Sequence, residues 1–293
     1  MLQDYHIVKH RRNGSTIYRC NHYTHYMKVW PKDEIEKEVA LYEKLKSAGI
    51  PLPSLLWFEI QEDDLGWMKE EAIPGLLYAD LFTESYEKNW FVEDSLLETF
   101  ITYQYNHLTG QSHTIWDTSI VSESFNKYEF LYSEWELDHA LIEKCIVKIQ
   151  SDTQNEPQGW NHWDHNAYNI FENGVIDLED SFYGALWYDT ITAITQNYWF
   201  PYPNSEPGEL SRQHAFSKEQ ILHYLETLSK HPIGVNYMES STFGALFLMR
   251  WIFATVKSDS FPLLKVYRYK RLQAAMEAYL NRENMIEFFL KHY

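Results

Sequence analysis

The sequence is poor in cysteine, in positive charge and in long apolar runs. Only two cysteines occur, Cys20 and Cys145. They form no Cys-x-x-Cys pair, which argues against a zinc site or a dithiol redox centre. Two buried free thiols are expected rather than one disulfide. Lys and Arg number 25 against 42 Asp and Glu, a formal charge of −17. Such a chain repels phosphate backbones and anionic headgroups, so neither nucleic acid nor a membrane is expected as a partner. The most apolar stretch, Phe243–Val256, is interrupted by Arg250 and falls short of the ~20 residues that span a bilayer. The first residues carry charge with no apolar run behind them, which is not a secretory signal. A soluble, cytoplasmic protein is expected. No repeat and no low-complexity tract is visible.

What is present is a globular composition, 45% hydrophobic and 23% charged. A length of 293 residues suits two domains or lobes. Aromatic residues make up 17%, with 11 Trp and 22 Tyr; most of them are expected in the core, and some could line a sugar-stacking cleft. From Ile149 to Ser211 there is no Lys or Arg but ten acidic residues. Such a run suits metal ions or a cationic ligand, or forms a solvated face.

The first 75 residues read as strands with one helix. Ser15–Cys20 and His25–Trp30 are short and rich in Ile, Tyr and Val. Lys32–Ser47 reads as a helix, with Ile35, Val39, Tyr42 and Leu45 at helical spacing and Gly49 closing it. Leu55–Ile60 and Trp67–Ile73 read as two further strands across an acidic turn, and Pro74-Gly75 breaks the pattern. Helical spacing then dominates: Phe91–Leu108, Ser133–Gln150, Trp187–Tyr198, Ser217–Ser229, Ser241–Val256, Leu263–Leu280 and Glu283–Lys291. Between them, Asn169–Phe171 and Gly174–Leu178 flank an Asn-Gly turn, a hairpin signal.

The most informative stretch is His162-Trp163-Asp164-His165-Asn166-Ala167-Tyr168-Asn169, followed by Ile176-Asp177. Phosphoryl transfer needs a carboxylate to orient an attacking hydroxyl and oxygen ligands to hold Mg²⁺ on the triphosphate. Asp164 can supply the first, the Asn169 amide and the Asp177 carboxylate the second. This His-x-Asp-x-x-x-x-Asn pattern with its Ile-Asp resembles the catalytic loop and metal-binding strand of the aminoglycoside phosphotransferase / choline kinase family. Gly184-x-x-x-Tyr188-Asp189 matches the same family's tail. The likeness covers about residues 10–200.

The resemblance implies an α+β, two-lobed protein kinase-like fold, with a small antiparallel-sheet lobe carrying one helix (residues 1–73, nucleotide-binding) and a larger, mainly helical lobe (74–293, catalytic and substrate-binding). Asp164 resembles the catalytic base and His162 the structural histidine of the loop. Asn169 and Asp177 resemble the Mg²⁺ ligands. Lys28 lies where the family's strand lysine reaches the ATP phosphates, and Glu38 where a helix glutamate holds that lysine; Glu34 and Glu36 are alternatives. The Asn13-Gly14-Ser15-Thr16 turn, with one glycine only, offers the backbone of Gly14 and Ser15 to a phosphate or is a plain hairpin turn. The backbone of Glu70, Glu71 and Ala72 corresponds to the interlobe linker that hydrogen-bonds adenine.

The implied activity is ATP- and Mg²⁺-dependent transfer of the γ-phosphoryl group to a hydroxyl of a small molecule. The run from Val175 to Pro201 is similar to that of bacterial kinases of N-acetylmuramate and N-acetylglucosamine, although Glu179 stands where these have glutamine. A sugar or amino sugar acceptor is therefore expected first. The alternative is a cationic acceptor, an aminoglycoside or choline; a second alternative is a nucleotide-binding pseudokinase. Glu179, Asp180, Trp163 and Trp187 are the candidate substrate contacts. Oligomeric state is not legible.

Overall fold

The computed structural model describes residues 4–11, 14–61, 64–109, 114–115, 117–119, 121–122, 138–186, 188–199, 202–203, 210–211, 216–257 and 262–291. The chain divides into two compact units. One comprises Met1–Tyr78 with Ala167–Ser181, the other Ala79–Asn166 with Phe182–Tyr293.

The first unit is built on a five-stranded antiparallel sheet: β1 (Tyr5–His10), β2 (Thr16–Cys20), β3 (His25–Pro31), β4 (Leu55–Ile60) and β5 (Leu65–Glu71). Its order is β1-β2-β3-β5-β4. The sequence reading accounts for β2 to β5 within a residue or two. It left β1 out of the count, because that edge strand turns Ile7 and Val8 outward and buries no residue fully.

Helix α1 (Lys32–Ser47) joins β3 to β4 and packs on β3 and β5. Pro31 precedes it, Asp33 and Glu34 sit in its first turn, and Lys44 and Lys46 in its last. These charges complement the helix dipole. Ile35, Glu38, Tyr42 and Leu45 share its buried face, and Ile35 joins Trp30 and Met68 in a core cluster. The helix lies close against the sheet at Gly66, where an added Cβ would lie 2.6 Å from the Ile35 Cβ. Only glycine fits there.

The second unit is mainly helical. It contains α2 (Tyr78–Asn89, whose first residue belongs to the first unit), α3 (Asp94–Thr109), α4 (His139–Thr153), α5 (Tyr188–Trp199), α6 (Lys218–Ser229), α7 (Ser240–Lys257), α8 (Pro262–Leu280) and α9 (Met285–Lys291). Helix α7 is central and packs against α4, α5, α8 and α9, while α3 packs against α6. Ser217 caps α6 in a capping box with Gln220. A small sheet of β6 (Thr114–Ile115), β7 (Pro157–Asn161) and β10 (Phe182–Ala185) completes the unit. Both cysteines are buried and unbridged. No helix among the described residues is long and apolar enough to cross a membrane.

Candidate active site

In the first unit the site begins with side-chain alternation on β3. Lys28 and Trp30 are two residues apart, so they share a face, and α1 covers that face. Lys28 is 6% exposed. Its ammonium lies 4.5 Å from the centroid of the Trp30 ring, a cation–π contact. Nearly two turns into α1, Glu38 meets it, with Nζ 2.6 Å from Oε2. A second carboxylate, Glu179, accepts from the same ammonium at 2.8 Å. Burial opposes the charge on Lys28, but Glu38 and Glu179 outweigh it and raise its pKa above the ordinary lysine value.

The chain of charges continues. Arg11 donates from Nη1 to Glu179 Oε2 at 2.8 Å and pairs with Asp177 Oδ1 at 2.6 Å. Asp177 follows a short hairpin, β8 (Ile170–Phe171) and β9 (Gly174–Val175). Asn169 and Ile176 close this hairpin, with the Ile176 N–H donating to the Asn169 carbonyl at 3.0 Å. The hairpin thus brings the Asn169 and Asp177 backbones together. Asp177 itself adopts φ 71°, a left-handed conformation that few non-glycine residues take. The single 3-10 turn Leu178–Asp180 follows and packs on α1.

An amide oxygen and a carboxylate are hard donors of the kind Mg²⁺ takes. Asp177 already meets a cation, the Arg11 guanidinium, so its carboxylate stands where positive charge is accommodated. The residues fit the metal that the motif implies.

In the second unit, β7 leads into the loop His162–Asn166. Asp189, at the start of α5 and fully buried, accepts from the His162 N–H at 2.6 Å, from the Trp163 N–H at 3.2 Å and from His107 Nε2 at 3.3 Å. Burial alone would raise its pKa, but His165 and His107 hold it below the usual carboxylate value. The loop is also held from α7. Arg250 donates to the Trp163 carbonyl at 3.1 Å and to Asp164 Oδ1 at 2.5 Å. The Arg250 side chain is 4% exposed and that of Asp164 40%. The loop therefore presents a solvent-reachable carboxylate on a buried cationic support. Burial pushes the Asp164 carboxyl up, but Arg250 and His162 outweigh it and hold it ionised, below its ordinary value.

No protein-family model and no curated protein sequence matches the chain. Solved structures do. It covers 94% of itself and 94% of aminoglycoside phosphotransferase APH(4)-Ia at 13% identity, with a TM-score of 0.63. It covers 94% of itself and 93% of APH(2″)-IIa, solved as a streptomycin–ATP complex, at 16% identity with a TM-score of 0.59. A complex of an APH(4)-Ia mutant with ADP and hygromycin B scores 0.64 at 12% identity. The fold is that of the aminoglycoside phosphotransferases. It is the kinase-like fold that the motif resemblance implied.

Within this aminoglycoside phosphotransferase fold the residues expected from sequence fall into two groups. Lys28, Glu38, Gly14, Ser15, Glu70, Glu71, Ala72, Asn169, Asp177, Glu179 and Asp180 lie in the first unit; His162, Trp163 and Asp164 lie in the second. Trp187 lies outside the described residues, as does Asn13 of the glycine turn. Among Glu34, Glu36 and Glu38, it is Glu38 that meets Lys28; Glu34 pairs with Lys37 instead.

Three groups of the expected residues already have partners within the protein. Trp163 is 8% exposed and stacks on Tyr188, with Phe182 against its edge. It packs the loop rather than offering a face to a ligand. Glu179 is engaged by Lys28 and Arg11. The turn and linker N–H groups are also partly used: Gly14 donates to the Arg11 carbonyl, Glu71 to Ser54 and Ala72 to Thr24. Burial, with Glu38 nearby, pushes the Glu70 carboxyl up to about 7.

Arg11 and the holding role of Arg250 were not read from sequence. Arg250 had a signal, a lone charge in an apolar run. Arg11 had none, because a basic residue beside Arg12 on an exposed edge looks ordinary.

Proposed function

We propose that the chain is an ATP- and Mg²⁺-dependent phosphotransferase acting on a hydroxyl of a small molecule, with a cationic, polyhydroxylated acceptor of the aminoglycoside kind favoured over a neutral sugar. The observation that carries the reaction is the buried Lys28–Glu38 ion pair at 2.6 Å, linked through Glu179 and Arg11 to Asp177. Structural roles alone do not call for so many charges in one small unit, because burying charge is costly unless each charge is paired or used. The preference for a cationic acceptor rests on the kinship in fold with proteins named as aminoglycoside phosphotransferases. An ammonium-rich ligand also suits a chain of net charge −17.

In this reading Lys28, steadied by Glu38, binds the α- and β-phosphates of ATP. Asn169 and Asp177 would hold Mg²⁺, which would neutralise charge on the phosphate oxygens. Asp164 accepts a hydrogen bond from the acceptor hydroxyl and takes its proton as that oxygen bonds to the γ-phosphorus and the bond from the γ-phosphorus to the β–γ bridging oxygen breaks, releasing ADP. Arg250 keeps Asp164 ionised and aimed. His162 and Trp163 give their backbone N–H groups to Asp189, so the loop is fixed before substrate arrives. Positioning and charge stabilisation of this kind supply most of the barrier reduction in phosphoryl transfer.

The test is ADP release with Mg·ATP over a panel of hygromycin B, streptomycin, choline, N-acetylglucosamine and N-acetylmuramate. Turnover on an aminoglycoside supports the proposal; turnover confined to the acetylated sugars restores the sugar reading. A protein that binds Mg·ATP but turns over nothing across a wide panel would be the pseudokinase instead.

A further inference from the structure

Arg11 lies outside every motif, yet its side chain is 17% exposed and reaches two carboxylates at once. Both have other duties in the proposed reaction. Asp177 is the metal ligand, and Glu179 shares its oxygen Oε2 between Arg11 and Lys28. Arg11 and Lys28 both bond this one oxygen, so two cations converge there, and a metal ion drawing off the Asp177 carboxylate would leave the Arg11 guanidinium with a charge to place. Arg11 also opens the glycine turn: its own N–H donates to the Ser15 carbonyl, and its carbonyl accepts from Gly14 at 3.1 Å. The turn has a single glycine, with φ +89°, and that glycine's N–H is spent inside the turn. A phosphate arriving there finds the Gly14 N–H already bonded, a donor that the turn would otherwise offer it.

From this we propose that Arg11 is a nucleotide phosphate ligand of this chain, supplying by side chain what its sparse turn does not supply by backbone. Its contact with Asp177 is the nucleotide-free position, and Glu179 is the hinge partner that it keeps when Mg²⁺ takes the aspartate. The planar guanidinium offers two N–H groups to one phosphate, a geometry that lysine cannot match. Arg11 has another nitrogen suited to this: Nε is buried and makes no hydrogen bond to protein. The inference rests on the reading of this unit as the nucleotide site.

Equilibrium binding of Mg·ATP, Mg·ADP and adenosine, by calorimetry on the full chain, tests it without any acceptor. The proteins compared are wild type, Arg11→Met and Arg11→Lys, each checked for an unchanged unfolding temperature without ligand. Arg11→Met is expected to weaken Mg·ATP at least about tenfold, the scale of one charge-assisted contact, to weaken ADP less, and to leave adenosine unchanged. Arg11→Lys is expected to recover part of the loss. Glu179→Gln should weaken ATP less than Arg11→Met does. If wild type binds ATP and Arg11→Met binds it equally or more tightly, Arg11 is only an internal counter-ion and the proposal fails. If wild type binds neither ATP nor adenosine, the nucleotide reading fails first, and this inference with it.

Discussion

Asp164 and Arg250 divide one task between a wet group and a dry one. The carboxylate reaches solvent, while the guanidinium that fixes it is buried. Asp164→Asn keeps the shape and removes the proton acceptor, so turnover on the identified acceptor is expected to fall by about 10²-fold or more with Mg·ATP binding intact. Near-normal turnover would remove Asp164 from the reaction. Arg250→Met asks a different question. In wild type Arg250 holds the Asp164 pKa below its ordinary value, so the acid limb of the pH–rate profile lies low. Without Arg250 that limb should move to higher pH. A fall in rate with no movement of the limb would make Arg250 purely a packing residue.

At the scale of elements, the meeting of α1 with β5 sets where Glu38 stands. Gly66→Ala drives a methyl into the Ile35 side chain, and a loss of about 1–3 kcal/mol in unfolding free energy is expected, the usual cost of overpacking. In the double variant with Ile35→Ala the two losses should sum to less than their separate values, because the second change makes room for the first. Additive losses in denaturant titrations would mean that the contact is not shared.

This element was legible in sequence because Ile35, Tyr42 and Leu45 repeat at helical spacing, and the helix bounds were read correctly. The hairpin before Asp177 was legible from its Asn-Gly turn, although each strand proved to be two residues long. Helix α2 escaped notice: it follows Pro74-Gly75 directly and buries few residues beyond Tyr78, Ala79 and Phe82, too short a stripe to stand out. The strand β7 also escaped, since Pro157, Gln158 and Gly159 carry no strand preference and pair because β6 and β10 lie on either side. The loop His162–Asn169 stood out in the sequence because the proposed chemistry would demand fixed residue types at fixed spacing. The pairing of Arg11 with Glu179 did not, because a salt bridge between residues 168 apart leaves no local trace.

Across the whole molecule, the buried imidazoles beneath the loop tie stability to pH. His165 is fully buried, bonds Gln104 Oε1 through Nε2 at 3.1 Å and stacks on His107 at 4.6 Å. Burial holds its pKa well below the ordinary 6.5, against the pull of the Asp189 carboxylate. The folded chain therefore takes up a proton there less readily than the unfolded chain does. Stability from this group is therefore complete above about pH 6.5 and is lost as pH falls below it. The unfolding temperature should drop between pH 7.5 and 5, and the drop should flatten in His165→Gln, whose amide reaches the same partner. An equal drop in both proteins would put the sensitivity elsewhere.

The first unit also has a consequence for how the protein is made. It comprises residues up to Tyr78 and then Ala167–Ser181, so its second part leaves the ribosome about 90 residues after its first. At ~5–20 residues per second that is a wait on the order of 5–20 s. Throughout it Lys28 has Glu38 but not Glu179, Arg11 has neither of its carboxylates, and the Pro51 carbonyl has no Val175 to bond. The nascent sheet must stay soluble half-neutralised, and its exposed cations are then open to any polyanion nearby, nucleoside triphosphate included.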